Sequence, residues 1–185
     1  MSEQEQLIRL LAERSVRRGR FTLASGRTSD LYIDARMTSM SPEGQLLIGP
    51  LALIAIKTAG WVVDSVGGMT LGADPIAYAI SYASNLMPPL IRAFTVRKET
   101  KTHGAGKRIE GPFRSGDHVI VIEDVITTGA SAIQAIEAVT SAGGIVKGVL
   151  ALVDRESGGY QAIQNKGYPI ITLTQIHQIT ALLPA

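Results

Sequence analysis

The stretch Val119–Ser131, VIVIEDVITTGAS, decides the fold. Its unbroken apolar start reads as a strand buried on both faces, and the Thr-Thr-Gly that follows reads as a turn into a helix opening near Ala130. The strand is expected to end at Glu123 and Asp124, leaving residues 125–130 as the turn. The first backbone N–H groups of a helix lack internal partners, and the hydroxyls of Thr127, Thr128 and Ser131 lie among them, so the junction welcomes an anion. It is not a Walker A loop, because no Gly-Lys-Ser/Thr follows. Two adjacent acids would repel a bare phosphate, so the ligand must also offer hydroxyls or bring a magnesium ion. A phosphorylated sugar has those hydroxyls. A plain strand, turn and helix without a ligand is the simpler reading, but buried strand ends rarely carry two unpaired acids.

Working outward, the same rhythm repeats. Strand-like runs WVVDSVGG, whose closing glycines are read as a turn, LIRAFTVRK, IVKGVLALVD and YPIITL alternate with helical runs SPEGQLLIGPLALIAIKTAG, ADPIAYAISYAS, ASAIQAIEAVTSAGG and YQAIQNKG. Ser41 is the expected N-cap of the first of these helices, with Pro42 at its first position and Gly60 near its end. This alternation predicts an α/β fold with a mostly parallel twisted sheet covered by helices on both faces, and a ligand site beyond the carboxyl ends of the strands. At the amino end Leu7, Leu10, Leu11 and Val16 fall at helical spacing, and the arginines at 14, 17, 18 and 20 are read as cations near that helix's carboxyl end. FTLASGRTSDLYIDAR predicts two small strands or a hairpin leaning on the main body.

Composition bounds the function. A chain of 185 residues with 45% hydrophobic content forms one domain, 1–185, with a real core. The chain has no cysteine, which excludes disulfides and thiolate metal sites and fits a cytoplasmic location. The net charge is only +2, with no extensive basic patch, so no nucleic-acid partner is expected. The longest apolar run, near residues 46–56, is too short to span a bilayer, so no membrane role is expected.

One segment breaks the rhythm. ETKTHGAGKRIEGPFRSGD, residues 99–117, joins two strong strands with no apolar periodicity and an excess of basic side chains. Loops of that length act as lids or binding loops in compact domains, and a mobile cationic lid is the expectation, with a solvated basic loop as the alternative.

EDVITTGAS resembles the phosphoribosyl pyrophosphate motif of the type I phosphoribosyltransferases. The resemblance implies that the turn cradles a ribose 5-phosphate and that Glu123 and Asp124 address the ribose hydroxyls. Three further stretches are similar to orotate phosphoribosyltransferases: RKETKTHGAGKRIEG, FTLASGRTSDLYIDAR and VGGMTLGADPIA. With VDRESGG they span nearly the whole chain in that family's order. The implied fold adds a small amino-terminal hood and a flexible catalytic loop to the sheet. The implied reaction joins orotate to phosphoribosyl pyrophosphate with magnesium, giving orotidine 5′-monophosphate and diphosphate in pyrimidine synthesis.

The resemblance assigns Lys101, His103 and Asp124 as catalytic. It assigns Arg97, Lys98, Lys101, His103 and the run Glu123, Asp124, Val125, Ile126, Thr127, Thr128, Gly129, Ala130 and Ser131 to phosphoribosyl pyrophosphate, and Thr127 with Arg155 to orotate. His103 is read as a charged contact to the diphosphate in preference to a general acid. Arg155 has the alternative of a surface charge paired with Asp154 or Glu156. No direct protein ligand for magnesium is assigned, the ion being held mainly by substrate and water. The catalytic loop is implied to reach a neighbouring subunit's site, which makes a homodimer. Ala24 stands where several members have lysine, so part of the charge stabilisation must come from elsewhere. A purine phosphoribosyltransferase, or a regulator built on the same fold, are the alternative readings.

Overall fold

The computed structural model describes residues 1–22, 28–98 and 108–184. Along the chain run α1 (Glu3–Arg14), β1 (Val16–Thr22), β2 (Thr28–Ile33), α2 (Arg36–Ser39), α3 (Pro42–Thr58), β3 (Ser65–Met69), α4 (Ala73–Leu86) and β4 (Arg92–Val96). They are followed by β5 (Ile109–Glu110), β6 (His118–Ile126), α5 (Ala130–Ser141), β7 (Ile145–Asp154), α6 (Gly159–Asn165), β8 (Ile170–Gln175) and α7 (Ile176–Thr180).

Six strands form one sheet in the order β5-β4-β3-β6-β7-β8. Every neighbouring pair is parallel except β4 with β5, as the strand and helix alternation predicts. Alternation along β6 divides its side chains between two cores. Ile120 and Ile122 join the core formed with α1, α3 and α4, whereas Val119 and Val121 join the core formed with α5. In β7, Leu150 and Leu152 enter the first core, and Val149 and Ala151 the second. Each fully buried aliphatic side chain contributes about 1.5–3 kcal/mol, so β6 and β7 anchor both layers at once. The β1–β2 hairpin forms a separate two-stranded antiparallel sheet, the predicted hood.

The α3 start follows its sequence signal. Ser41 Oγ accepts from the Gly44 N–H at 3.1 Å, with Pro42 opening the helix. Farther along α3, Gly49 lets the helix approach α4, since a Cβ there would lie 2.5 Å from the Ala79 carbonyl oxygen.

Several expectations change. The first helix stops at Arg14, and Val16 is buried as the opening residue of β1, paired with Ile33. Strand pairing overrides helical spacing there, as suits a β-branched residue. Of the four arginines only Arg14 lies in the last turn of α1, where it grips Glu43 through two hydrogen bonds of 2.9 and 3.0 Å. Arg17, Arg18 and Arg20 are exposed along β1. Gly67 and Gly68, read from sequence as a turn, lie inside β3, where a side chain would collide with the carbonyls of Phe94 and Ile122. Strand β6 runs two residues past the acid pair, shortening the expected turn. Two short helices, α2 and α7, carried no readable signal.

Within the expected lid, residues 99–107 lie outside the described residues, and from Ile109 the chain forms β5 on the sheet edge and then reaches Asp117. Asp117 is buried and accepts from Ser65 Oγ at 3.0 Å, Arg92 Nη2 at 2.6 Å and the Arg114 N–H at 3.0 Å. Burial opposes its charge, but these donors prevail and hold its pKa below the usual carboxylate value. The cluster ties together the amino ends of β3, β4 and β6.

Candidate active site

Strand β6 delivers the acid pair to its carboxyl end. Ile122 and Val125 pack with the same core although they lie three positions apart, so the alternation reverses across Glu123 and Asp124. Asp124 Oδ1 accepts from the Val125 N–H at 2.8 Å. Glu123 is only 9% exposed, and burial, reinforced by the neighbouring charge of Asp124 and a hydrogen bond with it, pushes its pKa to about 8. Glu123 therefore keeps its proton at pH 7. Burial also raises Asp124, against the pull of backbone donors and the charge of Arg36.

The acids face the start of α4. A Cβ on Gly72 would lie 2.5 Å from the Asp124 carboxyl carbon, so a glycine is required for this backbone to approach the carboxylate. The peptide bond between Thr70 and Leu71, just before it, is cis. Around the acids lies a cavity of about 520 Å3 lined by Tyr32, Asp34 and Arg36 from the end of the hood, Thr70 to Gly72, Lys98, Glu123 to Val125, and Ser131 with Gln134 of α5. A neighbouring cavity of about 770 Å3 shares Arg36, Thr70, Leu71 and Lys98, and adds Asp74, Tyr78, Thr95, Arg97 and Glu110. Asp74 is held there by Thr70 Oγ1 at 2.7 Å and Thr95 Oγ1 at 2.8 Å. Another cavity, of about 620 Å3 between α5 and the segment around Arg108 and Phe113, touches neither the acids nor the turn. The chemistry converges on the first two.

The turn itself is shaped by close packing. Gly129 takes φ +80° as the N-cap of α5, and a Cβ on Gly159 would lie 2.5 Å from the Thr127 carbonyl oxygen, so the start of α6 seats directly on the turn. The first N–H groups of α5 lack helical partners at this point.

No family model matches the chain. A curated relative from Aquifex aeolicus, an orotate phosphoribosyltransferase, is 42% identical over 182 residues, covering 97% of this chain and 98% of its own. The orotate phosphoribosyltransferase of Corynebacterium glutamicum (strain R) is 45% identical over 168 residues, covering 91% and 89%. The chain belongs to the orotate phosphoribosyltransferase family. Among solved structures, the Mycobacterium tuberculosis orotate phosphoribosyltransferase in complex with 5-phospho-alpha-D-ribosyl 1-diphosphate superposes with TM-score 0.83 at 37% identity, covering 97% of this chain and 99% of that one. Yeast adenine phosphoribosyltransferase, at 17% identity and TM-score 0.68, shares the fold.

Of the residues marked by likeness to orotate phosphoribosyltransferases, the structure brings Lys98, Glu123, Asp124, Val125 and Ser131 to the first cavity and Arg97 to the second. Arg97 Nη1 lies 3.4 Å from Glu110. Thr128, Ala130 and Ser131 are exposed at the turn, Thr127 is half-buried, and Gly129 is buried. Ile126 is a core residue, 1% exposed, so its side chain is not available to a ligand. Lys101, His103 and Ala24 lie outside the described residues.

Arg155 pairs with neither Asp154 nor Glu156, which overturns the surface ion-pair alternative. Its Nη2 donates to Ser29 Oγ and to the Leu31 carbonyl, both at 2.9 Å, and its backbone N–H donates to the Ile126 carbonyl at 3.0 Å. Asp154 instead accepts from the Glu156 N–H, while Glu156 meets His177 Nδ1 at 2.9 Å. Arg155 thus ties the hood to the sheet. Sequence reasoning missed Arg36, Asp34, Gln134 and the Thr70 to Gly72 corner. The Asp-x-Arg directly after a strand was the available signal for the first two.

Proposed function

We propose that the chain, as one domain over residues 1–185, transfers ribose 5-phosphate from phosphoribosyl pyrophosphate to orotate, giving orotidine 5′-monophosphate and diphosphate. The observation that carries this reading is a buried acid pair set between the amino terminus of α5 and cavities that Arg36, Arg97 and Lys98 line. A 5-phosphate at residues 127–131 would meet the α5 amino terminus and the threonine and serine hydroxyls. That places the ribose beside the acids. A protonated Glu123 can donate to one hydroxyl while Asp124 accepts from another, which suits a vicinal diol better than two anions would.

Leaving-group departure makes the anomeric carbon oxocarbenium-like. A negative Asp124 beside it stabilises that charge in the transition state, while Arg97, Lys98, Lys101 and His103 draw positive charge to the diphosphate. Closure of the basic loop over the site would exclude water, which otherwise competes with orotate as the nucleophile. Arg155, bonded to the hood, would spare part of its guanidinium for the orotate carboxylate, with Thr127 as the other residue of the base site.

Among the described residues no three His, Asp or Glu side chains cluster as a metal site. With Glu123 protonated, Asp124 is the acid of the pair that would assist a magnesium ion held chiefly by substrate oxygens and water. When bound, magnesium neutralises charge on the diphosphate. A homodimer is part of this proposal. Tyr78, Tyr82, Leu86 and Leu90 are 53–74% exposed along α4 and just beyond it, an apolar face that a second copy would cover. No helix among the described residues is long and apolar enough to cross a membrane. The absence of cysteine suits a cytoplasmic setting.

Loss of orotate ultraviolet absorbance after adding phosphoribosyl pyrophosphate, with and without magnesium and beside uracil, adenine and hypoxanthine, tests the reading. Magnesium-dependent turnover with orotate alone is expected. Turnover with another base would reassign the base pocket, and none with any base would favour a regulator. Mixing Lys101→Ala with Asp124→Asn protein tests the shared site. Hybrid dimers should regain activity, and none regained after verified subunit exchange would refute it.

A further inference from the structure

The two cavities meet at one cation that neither the acid pair nor the basic loop accounts for. Arg36 lines both, together with Thr70, Leu71 and Lys98. The acids on the two sides of this junction differ. On one side the cavity carries Asp34 and Asp124 with the protonated Glu123, whereas on the other Asp74 is bound by two threonines and Glu110 lies 3.4 Å from Arg97.

Arg36 is held in place from behind. Asp34 Oδ1 accepts from the Arg36 backbone N–H at 3.1 Å and from Nε at 2.8 Å, while Oδ2 accepts from Nη2 at 2.9 Å. The backbone of Asp34 is itself fixed, its N–H donating to the Ser15 carbonyl at 2.8 Å. Two residues beyond Arg36, Thr38 Oγ1 meets Ser15 Oγ at 2.7 Å in a fully buried contact. The guanidinium is therefore aimed by the joint between α1 and α2 with little freedom left to lose on binding. Its Nη1 edge has no hydrogen-bond partner among the described residues, and the side chain stays 44% exposed toward the open junction.

We infer that Arg36 is a substrate-binding residue that grips the diphosphate where it joins the ribose, with Asp34 as its positioning residue. The inference rests on the proposed reaction for the identity of the sugar, but the anion it needs is defined by charge and place. A ribose held by the acids and anchored through its 5-phosphate at residues 127–131 points its other end toward the junction. There a planar fork with a free edge matches paired phosphate oxygens, which a lysine, as a point charge, does not. Arg36 also neutralises part of the acid field that the incoming diphosphate must cross.

The test compares wild type with Arg36→Gln, Arg36→Lys and Asp34→Asn in two assays. Steady-state kinetics give the KM for phosphoribosyl pyrophosphate and for orotate, and calorimetry gives the Kd for magnesium diphosphate. Arg36→Gln is expected to raise the phosphoribosyl pyrophosphate KM and the diphosphate Kd at least tenfold, with the orotate KM unchanged within twofold. Arg36→Lys should recover only part of the loss, and Asp34→Asn should weaken diphosphate binding about threefold by freeing the fork. A rise confined to the orotate KM would assign Arg36 to the base carboxylate and overturn the inference. So would unchanged diphosphate binding in a folded Arg36→Lys protein, which would leave the Asp34 pair a purely structural clamp. Because the calorimetric titration uses no base, a wild type that fails to consume orotate would refute the proposed reaction while leaving the Arg36 result readable.

Discussion

Replacing Glu123 by glutamine keeps the shape of a buried side chain but removes its ionisation, and the consequence depends on pH. In the folded chain burial, with Asp124 adding to it, holds the Glu123 pKa at about 8, against an ordinary value of 4.5. Between those values the native state binds one proton more than the unfolded chain, so stability falls as pH rises, by about 1.4 kcal/mol for each pH unit. Below pH 4.5 both states are protonated and the penalty is absent. Above 8 it is complete, at most about 5 kcal/mol, because relaxation around the charge reduces it. Urea unfolding of wild type and Glu123→Gln, without substrate, at pH 5.0, 6.5 and 8.5 measures the difference. The variant should match wild type within about 1 kcal/mol at pH 5.0 and exceed it by several kcal/mol at pH 8.5. A stability difference that stays constant across the three pH values would refute the argument that burial keeps this carboxyl protonated.

Four other outcomes follow from single contacts. Asp124→Asn should lower kcat/KM at least about 100-fold with little change in the unfolding midpoint, since the lost charge acts on the transition state; unchanged kinetics would remove its ribose role. Gly72→Ala places a methyl group 2.5 Å from the Asp124 carboxyl carbon, so the phosphoribosyl pyrophosphate KM should rise and stability should fall by about 1–3 kcal/mol in denaturant titration. Asp117→Ala should cost about 1–3 kcal/mol by leaving Ser65 Oγ and the half-buried Arg92 without this acceptor. Because the folded Asp117 pKa is lowered, its contribution is present above pH 3.8 and fades as pH falls further, so the gap between variant and wild type should narrow in acid unfolding. Arg155→Ala should raise the orotate KM and, by releasing Ser29 and Leu31, speed proteolytic cleavage of the hairpin; unchanged cleavage would show that the hood is held by other contacts.

Much of the sheet was legible because its strands are buried on both faces and carry little but apolar residues. VIVIED and IVKGVLALVD read as strands without ambiguity, and the Thr-Thr-Gly turn marked the α5 start to the residue. Local signals also located α3, whose Ser41 cap and Pro42 act within one turn of the chain. Val16 misled, because its helical spacing from Leu11 and its pairing with Ile33 are both apolar patterns, and only the partner strand decides between them.

The sequence by itself determined the βα rhythm, the two-faced burial of the sheet, the turn into α5 and the acid pair, because these depend on residue type and short spacing. Tertiary structure alone decided that Glu123 is buried deeply enough to hold its proton, that Gly72 is the passage for Asp124, and that Arg155 is engaged with the hood 126 residues away. It also decided that Arg36 stands between two cavities. Desolvation and the meeting of distant side chains depend on which surfaces the packed elements bring together, and no local pattern in the chain encodes those distances.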